Sequence, residues 1–185
     1  MFLRKTRIEP LPVTMSAVRL GERVLQIGVD DPAVATAIAA KVGLSGNAAI
    51  AVTAERDAER AQAATANAGI LVDVQVTPLA SLPFESDAFD LIVVHATRGL
   101  LSSLDAEARV GAMREWRRVL RHGGRVMTIE AGPATGLAGV FKPQRTDPSY
   151  EASGGVVGAL EAAGFRPVRM IAAREGYKFA EGIKG

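Results

Sequence analysis

Few side chains in this chain can do chemistry at neutral pH, and their identity narrows what that chemistry is. There are two histidines, His95 and His122, and no cysteine. Without cysteine there is no thiolate nucleophile, no disulfide and no cysteine-bound zinc. Two histidines are too few for a multi-histidine metal centre, so no metal site is expected. An imidazole titrates near neutrality, which gives His95 the chemistry to take a proton from a hydroxyl or an amine. The second feature is Gly28-Val29-Asp30-Asp31-Pro32, which follows the largely apolar Val24-Leu25-Gln26-Ile27. A buried strand, a glycine turn and a helix start in succession make the junction at which open α/β sheets cradle small ligands.

The hydrophobic pattern describes the scaffold that must hold these residues. Residues 23–28 form a near-continuous apolar run, as expected of a strand buried on both faces. Asp31-Pro32 starts a helix, with a capping carboxylate and proline at the first helical position. Val34, Ile38 and Val42 recur every four residues, and Gly43 closes that helix. A second strand covers 48–52. An alanine-rich helix follows to Gly69, with Glu55, Asp57 and Glu59 at its positive end. A third strand covers 71–76, a loop with Pro78 and Pro83 covers 77–88, and a fourth strand runs from Phe89 to His95. Ser102-Ser103-Leu104-Asp105 reads as the start of a helix reaching about Leu120, with Gly123-Gly124 as its stop.

A fifth strand covers 125–130, and 131–153 form a long excursion rich in glycine and proline. A helix over 155–163 is closed by Gly164. Strands over 167–173 and 177–183 are joined by Arg174-Glu175-Gly176, a hairpin signal. Strand–helix alternation followed by a hairpin predicts an α/β fold: a three-layer, mostly parallel sheet with a C-terminal antiparallel hairpin. Residues 1–20, broken by Pro10 and Pro12, read as an N-terminal arm with one short turn, and 21–185 as one domain.

Composition agrees with a soluble globular protein. Of 185 residues, 48% are hydrophobic and 23% charged, and the formal net charge is only +2. No basic run is present, so no nucleic-acid partner is expected. Arg114, Arg117, Arg118 and Arg121 cluster near a helix end, where cations complement the carbonyl dipole. No window reaches the length of a membrane span, and the apolar part of Met1-Phe2-Leu3-Arg4-Lys5 is too short for a signal peptide. The expectation is a cytoplasmic protein with no membrane partner.

Four stretches carry a resemblance to a known family. They are Gly21-Glu22-Arg23-Val24-Leu25-Gln26-Ile27-Gly28, then Leu82-Pro83-Phe84 with Phe89-Asp90-Leu91-Ile92-Val93-Val94, then Glu115–Val126 with its Gly123-Gly124, and finally Leu160-Glu161-Ala162-Ala163-Gly164-Phe165. In order and spacing they resemble the class I S-adenosylmethionine-dependent methyltransferases, in their small-molecule, type 11-like branch. The resemblance implies a Rossmann-like fold, S-adenosylmethionine as cofactor and a small-molecule methyl acceptor. It implies a cofactor site at Gly28, Val29, Asp30, Thr53, Ala54, Leu79, Ala80 and His95, with His95 near the reaction centre as either a base or a pocket wall. Glu130, Gly132 and Lys142 follow the fifth strand, where acceptors approach in this family.

The chain departs from the family pattern at several cofactor anchors. Gln26 stands where the family has an acid, and Asp30 and Pro32 stand where it has its second and third glycines. Asp30 and Asp31 either hold the cofactor's ammonium group or cap their own helix. Thr53 replaces the usual ribose-binding acid, with Glu55 as either a substitute or a first-turn helix acid, and Pro78 replaces a polar adenine contact. Loss of several hydrogen bonds, each about 1 kcal/mol, weakens binding about a hundredfold. Two readings follow: a small-molecule methyltransferase with weakened cofactor binding, or a catalytically inactive relative acting as a partner subunit or binding module. With few residues before the first strand to cover the site, the pocket is either open or closed by a second subunit, which would make the chain a homo-oligomer.

Overall fold

In the computed structural model, residues 9–132 and 148–185 are described. Among these residues seven strands form one sheet: β1 (Arg23–Ile27), β2 (Asn47–Val52), β3 (Asp73–Val76), β4 (Phe89–Ala96), β5 (Leu120–Ala131), β6 (Val168–Arg174) and β7 (Tyr177–Ile183). Six helices accompany them: α1 (Leu11–Met15), α2 (Pro32–Ala40), α3 (Glu55–Asn67), α4 (Ala106–Val119), α5 (Pro148–Ala152) and α6 (Gly155–Ala162). The sheet order is β3-β2-β1-β4-β5-β7-β6. The first five strands pair in parallel, and β7 is antiparallel to both β5 and β6. The expected three-layer α/β sheet with its C-terminal hairpin is therefore the fold.

The central strands are apolar on both faces because both faces are covered. On one face Val24, Leu91, Val93, Met127 and Ile129 pack with Ile38 and Ala39 of α2 and with Val13 of α1. Ile50 and Val52 meet Ala35 of α2 and Ala58 and Ala61 of α3 on the same side. On the other face Leu25, Ile27, Ile92, Val94 and Val126 pack with Met113 and Trp116 of α4 and Leu160 of α6. The β3–β4 connection over 77–88 has no helix. Leu79 and Leu82 join the core there, and Phe84 meets Phe89 edge-on at 5.0 Å.

Some local expectations differ from the structure. Residues 11–15 form a helix whose Val13 is fully buried. The cap of α4 is Asp105, which accepts from Ala108 N at 2.8 Å, rather than Ser102. Gly123-Gly124 lie within the span of β5 and do not stop α4, which ends at Val119. Leu120 already pairs with Phe89, and the register then shifts so that Leu91 pairs with Arg125. Lys184 Nζ donates to Leu120 O at 2.6 Å, and Gly123 N donates to Lys184 O at 2.7 Å, so the helix-end carbonyl has a partner outside the helix.

Candidate functional site

The site is built where β1 ends. Gly28 N continues the ladder by donating to Ala51 O at 2.8 Å. Its φ is +76°, a conformation that glycine adopts without steric cost. A Cβ placed there would meet His95 O at 3.0 Å and Leu100 Cδ2 at 3.3 Å. The missing side chain thus lets the end of β1 nest against the end of β4. The two following aspartates divide their work. Asp31 caps α2 by accepting from Ala33 N at 2.8 Å. Asp30 Oδ2 instead accepts from both the backbone N and the Oγ1 of Thr97, each at 2.6 Å, and so ties the first loop to the loop after β4.

Beneath that loop lies a buried polar pair. Gln26 Nε2 donates to Ala35 O at 2.9 Å, which leaves Gln26 Oε1 facing His95 Nε2 at 2.8 Å. The amide oxygen can only accept, so this network assigns the imidazole proton to Nε2. His95 is 3% exposed, and burial lowers its pKa to about 4 against the opposing pull of Asp30 and Asp31. The ring is therefore neutral at physiological pH. Gln26, which sequence comparison of types marks as a lost anchor, is the buried partner of His95 and of the α2 backbone.

Above these groups, at the C-terminal ends of β1, β2 and β4, opens a pocket of about 270 Å³. Gly28, Val29 and Asp30 form one wall, and Val52, Thr53, Arg56 and Asp57 another. Leu79 reaches in from the β3–β4 loop, and His95, Arg98, Leu100 and Ser103 close the β4 side. The structure thus brings together Gly28, Val29, Asp30, Thr53, Leu79 and His95. Ala54 and Ala80 do not line the pocket; Ala54 is the N-cap residue of α3 and Ala80 is exposed. Glu55 and Pro78 are also outside its walls. The α3 carboxylate that does reach it is Asp57, paired with Arg60 at 3.2 Å. Sequence reading passed over Asp57 as one of three first-turn acids. Its signal was helical phase: Asp57 is two residues beyond Glu55 and so faces another way.

A second polar cluster sits at the end of β5. Tyr150 Oη donates to Glu130 Oε1 at 2.8 Å, and the Arg109 guanidinium lies 4.2 Å above the Tyr150 ring. Arg109 Nε donates to Leu101 O at 2.8 Å and its Nη2 to Leu104 O. Burial pushes the Glu130 carboxyl above its usual value, and burial with Glu130 beside it raises the Tyr150 phenol. Lys142 lies outside the described residues. Among the described residues, no group of three or more metal-ligating side chains is gathered, and no helix is long and apolar enough to cross a membrane.

A mostly parallel sheet of this order, with a pocket across the ends of its first, second and fourth strands, defines a Rossmann-like protein. Residues 17–128 match the methyltransferase domain family, and the chain belongs to it. The cofactor of this family is S-adenosylmethionine. A curated relative is the ubiquinone/menaquinone biosynthesis C-methyltransferase UbiE of Cupriavidus taiwanensis, 30% identical over 118 residues. That match covers 64% of this chain and 46% of the relative, so the chain matches less than half of the relative's length. Among solved structures, a SAM-dependent methyltransferase from Aquifex aeolicus superposes with a TM-score of 0.69 at 16% identity, covering 94% of this chain and 87% of that one. The YcgJ protein of Bacillus subtilis superposes with a TM-score of 0.64 at 16% identity, covering 93% and 95%.

Proposed function

We propose that this chain transfers a methyl group from S-adenosylmethionine to a small-molecule acceptor, with the cofactor in the pocket beside Gly28. The observation that carries this reading is the donor set of that pocket. It offers carboxylates at Asp30 and Asp57, guanidinium groups at Arg56 and Arg98, and apolar surface at Val29, Leu79 and Leu100. These match a ligand that bears an ammonium, a carboxylate, a ribose diol and an aromatic base. Asp57 would accept from both ribose hydroxyls, as a carboxylate can and Thr53 cannot. Leu79 would lie against the base, and the arginines would face the carboxylate.

When bound, S-adenosylmethionine supplies a methyl carbon made electrophilic by its sulfonium, so the protein's main task is to hold and aim two partners. His95 serves that aim from below. Neutral and bonded to Gln26 through Nε2, it joins the end of β4 to β1 and α2, and its lowered pKa makes it a weak base near pH 7. The pocket volume, about 270 Å³, lies at the small end of the usual range for ligand sites, about 300–1,000 Å³. Two polar side chains of the loop region are already engaged, Gln26 by His95 and Asp30 by Thr97. Both facts support the reading of weakened cofactor binding.

The same engaged side chains favour a second reading, a non-catalytic partner subunit or binding module on the methyltransferase fold. Calorimetric titration with S-adenosylmethionine and S-adenosylhomocysteine separates the two. A dissociation constant in the micromolar range supports methyl transfer. Absence of heat at millimolar ligand overturns it and leaves the second reading.

A further inference from the structure

The loop after β4 is unusually well tethered for a segment that borders a ligand pocket. At one end Thr97 is held by Asp30 through two hydrogen bonds of 2.6 Å. At the other, Arg109, 4% exposed, reaches back to the carbonyls of Leu101 and Leu104. Arg109 is itself held by the face of Tyr150, whose hydroxyl is bonded to Glu130. Between the tethers the chain turns on itself, with Gly99 N donating to Ala96 O at 3.2 Å and Ser103 N to Gly99 O at 2.9 Å. Leu101 points into the core and is fully buried. Leu100, its neighbour, packs against the edge of that core and also lines the pocket. Its Cδ2 lies 3.3 Å from where a Gly28 Cβ would be, over the bare side of that glycine.

We propose that Leu100 is a built-in plug, which occupies the Gly28 cradle and sets the affinity for the cofactor. The inference rests on the methyl-transfer reading above. A glycine at a ligand loop is useful because a ligand can approach its backbone closely. Here a leucine methyl group takes that approach, and the tethers at Thr97 and Arg109 keep it there. A ligand that needs the backbone of Gly28 must turn Leu100 aside. Its affinity is lowered by the fraction of molecules in which the plug is in place. Leu100 is therefore an affinity-determining residue and not one that reacts.

The test is calorimetric titration of the full chain with S-adenosylhomocysteine, comparing wild type, Leu100→Ala and Leu100→Phe. Leu100 is half-buried and its tethers are made by other residues, so thermal unfolding of each variant shows that the fold is kept. With the plug removed, Leu100→Ala binds about tenfold more tightly than wild type, and Leu100→Phe at least tenfold more weakly. Binding by Leu100→Ala where wild type gives no heat supports the plug equally. Heat from wild type with an unchanged or weaker Leu100→Ala makes Leu100 an ordinary wall and overturns the inference while the methyl-transfer reading stands. No heat from wild type or from Leu100→Ala at millimolar ligand overturns both.

Discussion

The buried His95–Gln26 pair makes stability depend on pH between about 4 and 6.5. His95 has a folded-state pKa of about 4 against 6.5 in its ordinary state. Between these values the unfolded chain takes a proton that the folded chain refuses. Stability from His95 is therefore fully present above about pH 6.5 and is lost as pH falls toward 4. Each pH unit in that interval costs about 1.4 kcal/mol, so lowering the pH from 7 to 5 removes about 2 kcal/mol. With a urea slope of about 2 kcal/mol per molar, the unfolding midpoint drops by about 1 M. Glu130 works in the opposite direction, since burial raises its pKa and the folded state gains stability as pH falls through it. Asp90, held at about 2 by Arg23 and Arg121 despite burial, contributes stability that is lost only below its ordinary 3.8. His95→Gln keeps a donor for Gln26 and removes the titration, while Glu130 and Asp90 are common to both proteins. The midpoint difference between wild type and His95→Gln should thus narrow or reverse by about 1 M between pH 7 and pH 5. Parallel midpoints over that range would refute the burial argument and place the ring in contact with water.

Two other substitutions test the site from different sides. Gly28→Ala forces a side chain into φ +76° and against His95 O at 3.0 Å, and should cost about 1–3 kcal/mol of stability, read as a lower thermal midpoint; an unchanged midpoint would mean the β1–β4 junction yields easily. Asp57→Asn keeps the size of the side chain but weakens its acceptance of two hydroxyls, and should raise the dissociation constant for S-adenosylhomocysteine about tenfold. Its thermal midpoint should barely move, because the Asp57–Arg60 pair is partly exposed; equal affinities for variant and wild type would remove Asp57 from the ligand.

The sheet was legible in the sequence because buried parallel strands leave contiguous apolar runs such as Leu91-Ile92-Val93-Val94, and because Asp31-Pro32 and Glu175-Gly176 mark their turns locally. What escaped was decided by distant residues. α4 ends within one residue of the expected Leu120, but β5 begins there and runs through Gly123-Gly124, where Gly123 N donates to Lys184 O, more than sixty positions away. The helix at 11–15 is held by packing of Val13 with Ile38 and Val24, which no local signal announces. At the site, Gly28 and Leu79 were readable by position. Asp57 and Leu100 were not, because their inclusion depends on how α3 and the post-β4 loop are set against the sheet. Gln26 and Asp30 were read as departures from a ligand-binding pattern, and only their partners, His95 and Thr97, reveal what they hold instead.

The strand order also constrains how the molecule is assembled. β7 lies between β5 and β6, yet β6 precedes it in the chain. As the polypeptide emerges during synthesis, β6 has no place to dock, and β5 presents an open, apolar edge containing Val126, Met127 and Ile129. Only when Tyr177–Ile183 arrives can that edge of β5 be paired and β6 be recruited. Until then that edge is a site where two nascent chains could join strand to strand. Yield of folded protein should therefore depend more on the completion of β7 than on the stability of the finished sheet.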